Sequence, residues 1–600
     1  MQGLKVSVEI CDPNVESSCL RIIGFSYFLK AQSNFDKPEF ISAFLQAKSF
    51  ITRSIQCRDQ IFSNLVVDQN KISFAEEYFS SYMILRLCFL FLKRIEAALL
   101  VIDLAKAKAL HAFMEKVKKS KTDTSIDLTW KRIDNGEEKL RTEEIREALE
   151  LKSNSCVLFY TFDEKKFLDI IVLNSENVVK TFKHIHFFTE IIDKYFQILL
   201  SNFEMVVNRN STFYELNTGC TRAFPMVSSS RMNRSPQKIK STDVAKQAGP
   251  TEFGKCKTTL NSSPSQNLPL DKTTSSNHTS AVADLDTENV LLLLYQILIL
   301  PVKEFIKGTK VIIVPDQYLF FVPFCALLDE NGSRLSEHYS AHIALSLHTL
   351  VSSMTRARDC GLGFALFVGN PTVGKVSFCG NEIEPSLLPS ASEEVEFLAP
   401  LFEAQPLVER KATKERVLKY IPGASIIHIA AHGEGGLGEI FLTPNPNMTE
   451  QTSSLPKENS YLLEQRDILK IGTNARLVVL CCCHTGKGKI SSEGVVGLAR
   501  AFLCVGARSV LATLWRIHDE ATKGLMEIFY DEICKGTSVC EALRKAMNIF
   551  QKRGNEKFRS FKVWAPFTIY GEDVSFSKDE IEEIKRKSRE SNFLEPVSKT

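Results

Sequence analysis

The stretch RLVVLCCCHT, residues 476–485, constrains the fold of this chain more than any other. Its apolar, β-branched run from Leu477 to Leu480 is typical of a strand that is buried on both faces. The run leads directly into three consecutive cysteines, the last of which is Cys483, and then into a loop that contains Gly486. We therefore expect a thiol at the point where a buried strand meets a loop.

A second stretch, ASIIHIAAHGEGG, has the same form. Ser425 to Ala431 is again a buried-strand run, and it ends in His432 and Gly433. In an open α/β sheet, ligands bind outside the carboxyl ends of the strands, so two such strands would place the imidazole of His432 beside the thiol of Cys483. The two residues are 51 positions apart, close to the roughly 50 that separate the catalytic histidine and cysteine of caspase-like peptidases.

These residue types suit acyl transfer through a covalent intermediate. A thiolate is the nucleophile in such reactions, and a nearby histidine takes the thiol proton and later protonates the leaving amine. The backbone N–H groups of Gly433 and Cys483 are candidates for an oxyanion hole. Such a site requires neither a metal nor another cofactor, and we predict none.

The composition indicates a globular protein of two or more domains. A chain of 600 residues exceeds a single ordinary core, and its 44% hydrophobic and 24% charged residues are typical of globular proteins. The net charge of +3 gives no electrostatic reason to expect nucleic acid or an anionic membrane as a partner. The N-terminus carries acidic residues where a signal peptide requires an apolar region, and the longest apolar run, Val290 to Val302, is too short to span a bilayer. We therefore expect a cytoplasmic protein whose 16 cysteines are reduced.

Residues 1–115 are predicted to form helices that resemble tetratricopeptide repeats. The matching positions are Leu20, Ile23, Gly24 and Tyr27 on a first helix, Phe40, Phe44 and Ala47 on a second, and Tyr82, Leu85, Phe89, Ala98, Ile102 and Ala105 in a clearer second copy. In that copy Arg86 replaces the glycine of the repeat. An ordinary α-hairpin bundle is the alternative. Because at least three repeats are normally needed to bury a continuous core, we expect the end of a longer array or a remnant docked on the rest of the chain.

The remaining chain divides by composition. Residues 116–152 are predicted to form a charged helical connector, and residues 153–573 an α/β domain. A polar stretch at 208–284, rich in Ser, Thr, Asn and Pro, interrupts that domain and is predicted to be disordered. Residues 574–600 are a charged tail.

Within the α/β domain, the apolar period predicts strands that alternate with helices. A hairpin is predicted from Ser155, and helices are predicted at 189–203 and 492–505 among others. Such alternation implies a mostly parallel sheet with right-handed crossovers.

Seven motifs in this domain resemble the CHAT domain, a caspase-related module that follows tetratricopeptide repeats and is similar to the protease domain of separase. In chain order they are IIVPDQYLFFVPFCAL, FVGNP, ASEEVEFL, HIAAHG, LVVLCCCHTG, GVVGLARAFLCVGARSVLATLWRIHDEAT and VWAPFTIYG. The form of the cysteine and SSEGVVGLARAF motifs is most similar to animal proteins with many tetratricopeptide repeats and a C-terminal CHAT domain. The resemblance implies an α-helical, repeat-like segment followed by a caspase-like α/β domain with a mostly parallel sheet flanked by helices.

The resemblance also implies which residues carry the chemistry. The histidine of the HG motif falls on His432, and the cysteine of the motif that continues with Thr-Gly falls on Cys483. Many members have Ser-Ala before this cysteine and Glu after it, whereas this chain has two further cysteines and His484. Asp519 is a candidate for a pocket that binds a basic substrate residue, and its place before a helix also fits an N-cap. Trp515 is predicted to be core or the wall of that pocket.

Other readings of the same residues are weaker. His428 and His432 are four positions apart, as zinc ligands on a helix can be, but this run is strand-like and HExxH is absent. The run CHTGKGK has Lys489 where a phosphatase loop requires Arg, and GKGKISS lacks the P-loop spacing. Along the strand, alternation predicts Cys481 and Cys483 on one face and Cys482 on the other.

The sequence therefore predicts a cysteine endopeptidase that acts on a protein, with repeat-like helices that bind the substrate or a partner. The alternative is a protein-interaction scaffold that keeps the fold without turnover, because fold does not imply function. A third hypothesis is a fragment that requires a longer repeat array or a partner for activation. Nothing in the sequence indicates an oligomeric state.

Overall fold

The computed structural model describes the chain in sixteen segments. They are residues 12–33, 39–65, 68–118, 125–149, 151, 154–162, 168–175, 178–183, 287–356, 361–434, 438–445, 455–483, 485, 489–491, 494–553 and 559–591. The helix predicted at 189–203, the stretch predicted to be disordered at 208–284, and His484 lie outside the described residues.

The N-terminal part is helical, as the sequence predicts. Its helices are α1 Pro13–Ser33, α2 Glu39–Asn64, α3 Asp68–Phe91, α4 Ile95–Ala105, α5 Lys108–Lys118, α6 Ser125–Asp134 and α7 Glu138–Ala148. A Cβ atom built on Gly24 of α1 would lie 2.7 Å from the side chain of Ile51 on α2. Glycine thus permits the close approach of these two helices.

The second part is built on a large, mostly parallel sheet, which confirms the predicted fold class. Its strands are β1 Ser155–Phe162, β2 Leu168–Leu173, β3 Val178–Lys183, β4 Lys310–Val314, β5 Ser340–Ile343, β6 Phe364–Pro371, β9 Leu407–Glu409, β10 Ala424–Ala431, β13 Leu477–Cys482, β16 Ser509–Thr513 and β17 Phe567–Gly571. Their order across the sheet is β3-β2-β1-β4-β5-β17-β16-β13-β10-β6-β9. The pairs β1/β2, β2/β3 and β16/β17 are antiparallel, and the other neighbours are parallel. The β1/β2 pair is the hairpin predicted from Ser155.

Helices and short strand pairs surround this sheet. The helices are α8 Thr287–Leu298, α9 Leu335–His338, α10 Leu347–Arg356, α11 Pro389–Leu398, α12 Lys414–Tyr420, α13 Glu458–Tyr461, α14 Gln465–Ile471, α15 Leu498–Val505, α16 Asp519–Cys534, α17 Val539–Arg553, α18 Phe561–Trp564 and α19 Lys578–Glu590. The short pairs join β7 Val376–Phe378 to β8 Asn381–Ile383, β11 Ile440–Phe441 to β12 Leu462–Leu463, and β14 Lys489–Ser491 to β15 Gly494–Val496. No helix among the described residues combines the length and the apolar character that crossing a bilayer requires.

One predicted helix begins later than expected. The sequence predicts a helix over 492–505, but α15 starts at Leu498, and Gly494–Val496 pairs as a strand instead. The two glycines, Gly494 and Gly497, weaken a helix at its start, and the valines between them favour a strand.

Buried ion pairs join the helical part to the sheet. Arg86 of α3 is fully buried and pairs with Asp169 of β2. Asp103 of α4 is also fully buried, accepts hydrogen bonds from the N–H groups of Leu347 (2.6 Å) and His348 (3.0 Å) at the start of α10, and contacts the His348 ring. Because a buried charge requires a partner, these contacts hold the helices in a fixed place on the sheet.

The two strands singled out by the sequence lie next to each other in the sheet. β10 and β13 are parallel, and every residue of both is buried. Helix α11 packs on β6 and β10 and against α16. The residues that follow β10 and β13 therefore emerge together at one edge of the sheet.

Candidate active site

The structure places His432 and Cys483 side by side at the carboxyl ends of neighbouring strands. The last paired residues are Ala430 with Cys481 and Ala431 with Cys482, so His432 and Cys483 are the next residues on the two strands. Neighbouring strands lie about 4.8 Å apart.

Backbone contact confirms how closely the two strand ends approach. A Cβ atom built on Gly433 would lie 2.1 Å from the carbonyl oxygen and 3.0 Å from the nitrogen of Cys483. A side chain at position 433 would therefore displace the Cys483 backbone. Glycine is required at this position by the geometry of the site.

The imidazole of His432 is oriented by a backbone carbonyl. Its Nε2 lies 2.7 Å from the carbonyl oxygen of Ser386, and because a carbonyl only accepts, Nε2 carries the proton. In the neutral ring the lone pair is then on Nδ1. Burial lowers the pKa of His432 below its usual value, partly offset by the Ser386 carbonyl. The ring is thus neutral at pH 7 and suited to accept a proton.

The thiol of Cys483 is protonated at rest. Burial raises its pKa, while a hydrogen bond from the backbone N–H of Ile517 and the charge of Arg516 act in the opposite direction. If this pair is catalytic, the histidine must take the thiol proton before the sulfur attacks.

Two buried threonines fix the turn that carries Cys483. The hydroxyl of Thr485 donates to the carbonyl oxygens of Leu480 and Cys482, each at 3.2 Å. It also accepts a hydrogen bond from the N–H of Thr513 on β16 at 3.2 Å, and the Thr513 hydroxyl in turn donates to the Cys482 carbonyl. These hydrogen bonds therefore fix the backbone that carries the thiol.

The backbone around Gly433 leaves its N–H outside the local strand pairing. Gly433 forms an antiparallel bridge with Ile440. The hydrogen bonds of this bridge run from the Phe441 N–H to the His432 carbonyl (3.0 Å) and from the Glu434 N–H to the Glu439 carbonyl (2.8 Å). The bridge thus does not use the Gly433 N–H, which lies next to the Cys483 backbone.

Asp519 and Trp515 lie on the segment that leads from β16 into α16. Asp519 is the first residue of α16, so the N-cap is His518. The Asp519 carboxylate instead accepts a hydrogen bond from the Ser390 N–H in the first turn of α11, at 3.1 Å. Burial raises its pKa. The Trp515 indole is buried and donates to the Lys562 carbonyl at 2.8 Å, which fits a place in the core or in the wall of a pocket.

A second set of polar side chains lies beneath the first on the same strands. His428 Nε2 is 2.8 Å from Glu394 Oε1 of α11, and Tyr530 of α16 lies 3.2 Å from His428 Nδ1. Cys481 forms a side-chain hydrogen bond with Glu394, and burial raises the pKa of this thiol well above its usual value. Glu394, His428 and Cys481 bring three possible metal ligands within 4.8 Å of one another. A structural zinc site normally has four protein ligands, and this cluster offers three among the described residues.

Sequence reasoning missed several groups of the site. Ser386 acts through its backbone carbonyl, which no side-chain pattern reveals. Asn370 and Thr513 stand in motifs that resemble the CHAT domain, FVGNP and SVLATLW, but the sequence assigns them no role. The roles follow only from the hydrogen bonds that these residues make across the fold.

The chain matches one protein family and two curated relatives. Residues 288–572 match the CHAT domain. Mouse Tetratricopeptide repeat protein 28 is 28% identical over 307 residues, and its human counterpart is 28% identical over 306. Each match covers 45% of this chain and 12% of the relative, so the chain corresponds to a small part of these longer proteins.

Solved structures with a similar arrangement include two of the Saccharomyces cerevisiae separase–securin complex. One has a TM-score of 0.48 at 13% identity and covers 94% of this chain and 40% of that chain. The other has a TM-score of 0.43 at 11% identity and covers 94% and 41%. The family match begins after the long polar stretch, so the predicted start of the domain at residue 153 stays a prediction. The match to the CHAT domain family covers residues 288–572, just under half of this chain.

Proposed function

We propose that this chain is a cysteine endopeptidase of the caspase- and separase-like class, with Cys483 as nucleophile and His432 as general base. One observation carries the proposal: His432 and Cys483 follow paired residues on neighbouring parallel strands, and the imidazole is held by the Ser386 carbonyl with Nε2 protonated. Catalytic residues outside the carboxyl ends of parallel strands are the common arrangement in open α/β sheets.

The proposed reaction needs no group beyond the chain and water. Nδ1 of His432 takes the Cys483 proton, and the thiolate attacks the carbonyl carbon of the substrate peptide bond. The N–H groups of Gly433 and Cys483 stabilise the oxyanion. The imidazolium then protonates the leaving amine, the carbon–nitrogen bond breaks, and water hydrolyses the thioester with His432 again as base.

Two acidic groups near the thiol are candidates for binding a basic substrate side chain. Asp519 and Glu434 both act to raise the pKa of Cys483, while Arg516, whose effect is larger than that of either carboxylate, acts to lower it, so all three charges lie within electrostatic range of the sulfur. We propose that Asp519, together with Trp515, contributes to the pocket for the residue before the cleaved bond. A cationic side chain there would be attracted by these carboxylates.

The helical part is proposed to bind the protein substrate or a partner. Helices α1 and α2 expose large apolar side chains: Ile22 is 62% exposed, Leu29 48%, Ile41 57% and Leu45 49%. A contiguous apolar patch is typical of protein-binding faces, and we propose that these side chains form one. The same observation supports the second candidate function, a protein-interaction scaffold of the repeat-and-CHAT type without turnover.

Covalent labelling separates the two functions. The full chain is treated with peptide acyloxymethylketones that vary at the residue before the reactive group, beside Cys483→Ala, His432→Ala and, as a control, Cys19→Ala, which removes a partly exposed thiol on α1. The peptidase predicts labelling that is lost in the first two variants, kept in the control, and strongest for Arg or Lys. Labelling that does not depend on His432 would indicate a merely exposed thiol. A folded protein that takes up no label would favour the scaffold.

A further inference from the structure

Asn370 occupies an irregular position at the carboxyl end of β6, next to β10. Gly369 pairs with Val408 of β9 and Pro371 pairs with Glu409, so Asn370 is an extra residue between two pairs. Its φ is +45°, and its side chain is buried at 4% exposure. Asparagine tolerates a positive φ better than most residues. Bulges next to active sites change the direction of a side chain, and here that side chain is the amide of Asn370.

The side-chain amide of Asn370 forms hydrogen bonds with the N-cap and with the first turns of α11. Asn370 Oδ1 accepts a hydrogen bond from the Leu388 N–H at 2.7 Å, and Asn370 Nδ2 donates to the Ser392 hydroxyl at 3.1 Å. Leu388 is the N-cap of α11, which has no side-chain cap of its own. Asn370 therefore fixes the end of the segment that precedes α11.

That segment also supplies the acceptor for His432. Ser386 lies two residues before Leu388, and its carbonyl oxygen is 2.7 Å from His432 Nε2. Leu387, between the two anchored residues, is 56% exposed, so packing of its side chain does not hold the segment. Pro385, which precedes Ser386, is buried, and the hydrogen bond from the Leu388 N–H to Asn370 holds the residues that follow Ser386.

We propose that Asn370 is a positioning residue: by holding Leu388 and Ser392, it keeps the Ser386 carbonyl where it orients His432 and selects the Nε2-protonated tautomer. The role of Asn370 in catalysis rests on the proposed function. The arrangement resembles the way a hydrogen bond to one ring nitrogen of a histidine determines what the other nitrogen can do. Asn370 touches no substrate in this account and acts only through the Ser386 segment.

The direct test is the tautomer of His432, which does not require turnover. Ring nitrogen NMR on the full chain with ¹⁵N-labelled histidine, assigned with His432→Gln, reports which nitrogen is protonated. Asn370→Gly removes the amide and keeps the positive φ, so it should shift His432 toward a mixture of tautomers. Asn370→Asp retains an acceptor for the Leu388 N–H and should restore the wild-type signal. Asn381→Gly, at an exposed asparagine of β8, is the matched control and should change nothing.

The second readout is the His432-dependent rate of labelling at Cys483. We expect Asn370→Gly to lower it roughly 10- to 100-fold with little change in the concentration for half-maximal rate, since a displacement of about 1 Å can cost this much. If Asn370→Gly does not fold, Asn370→Ser, whose shorter side chain withdraws the acceptor from Leu388, carries the same test. A wild-type tautomer and rate in a folded variant would overturn the proposal. Loss of labelling already in the wild-type chain would contradict the proposed function instead, and the NMR measurement would still decide the role of Asn370.

Discussion

This molecule has two histidine–cysteine pairs in different surroundings, one within β10 and β13 and one just beyond the carboxyl ends of these strands. The inner pair, His428 and Cys481, is sealed in the core, where Glu394 contacts both side chains. The outer pair, His432 and Cys483, lies where the strands end, and its histidine contacts a backbone carbonyl. The difference teaches that residue type alone does not make a reactive site. The inner side chains are buried and lie within 4.8 Å of one another, whereas the outer residues lie where the two strands end.

The largest expected effect is on the outer histidine. Replacing His432 with Gln should lower the rate of Cys483 acylation by roughly 10² to 10⁴, since that is the usual contribution of a general base. Replacing His428 with Gln should affect mainly the stability of the fold. Acylation rates and urea denaturation of both variants measure this contrast. Equal losses of activity at the two positions would remove the distinction between the pairs.

Loss of the inner carboxylate, Glu394, should lower the free energy of unfolding far more than loss of its surface neighbour. Glu394→Ala leaves buried polar partners without their acceptor, and breaking a buried pair of this kind costs roughly 3–5 kcal/mol. The neighbouring Glu393→Ala removes only a surface pair with Lys523 and should cost about 1 kcal/mol or less. Denaturant unfolding of both variants measures the two changes in the free energy of unfolding. A small effect at Glu394 would mean that the inner cluster is not a structural support.

Gly433 lies where the ends of β10 and β13 approach each other, and we expect that it tolerates no side chain. In Gly433→Ala the new Cβ would collide with the Cys483 carbonyl, and overpacking of this kind costs roughly 1–3 kcal/mol. Because the displaced atoms belong to the proposed oxyanion hole, acylation should fall as well. Gly361→Ala is a matched control, since a Cβ there meets no atom within 4 Å. If both variants behave alike, the close contact at Gly433 is not important.

Asp519 should have a small effect on stability and a selective effect on substrates. Asp519→Ala removes a hydrogen bond to the first turn of α11, a change worth about 1 kcal/mol. It should also reduce labelling by probes with Arg or Lys more than labelling by neutral probes. Glu520→Ala, at the exposed neighbouring position, provides the comparison. A uniform loss across all probes would argue against a role for Asp519 in the pocket.

The sequence predicts the architecture around the outer pair well. Buried-strand runs at 425–431 and 477–480 become neighbouring strands, because a continuous apolar run suits only a strand covered on both faces. The helical character of the N-terminal part follows from its apolar period in the same way. Spacing alone, however, places Arg86 at the position of a repeat glycine, and only the fold reveals Asp169 as its buried partner.

The groups that support the site are harder to predict. The Ser386 carbonyl has no side-chain signature, and the orientation of Asn370 depends on a bulge that sequence pattern does not encode. The late start of α15 reflects local competition, since two valines between glycines favour a strand over a helix. Such features depend on tertiary contacts between segments far apart in the chain.

The most direct test of the account is the pH dependence of Cys483 alkylation by iodoacetamide, followed by peptide mass spectrometry in the wild-type chain and in His432→Gln. Burial lowers the pKa of His432 and raises that of Cys483, so a working dyad predicts fast alkylation at pH 7 that falls only below the usual histidine pKa of about 6.5. In His432→Gln the thiol must ionise unaided, and alkylation should be slow until the pH exceeds the usual thiol range. Superimposable profiles in the two proteins would contradict the claim that His432 and Cys483 act as a pair.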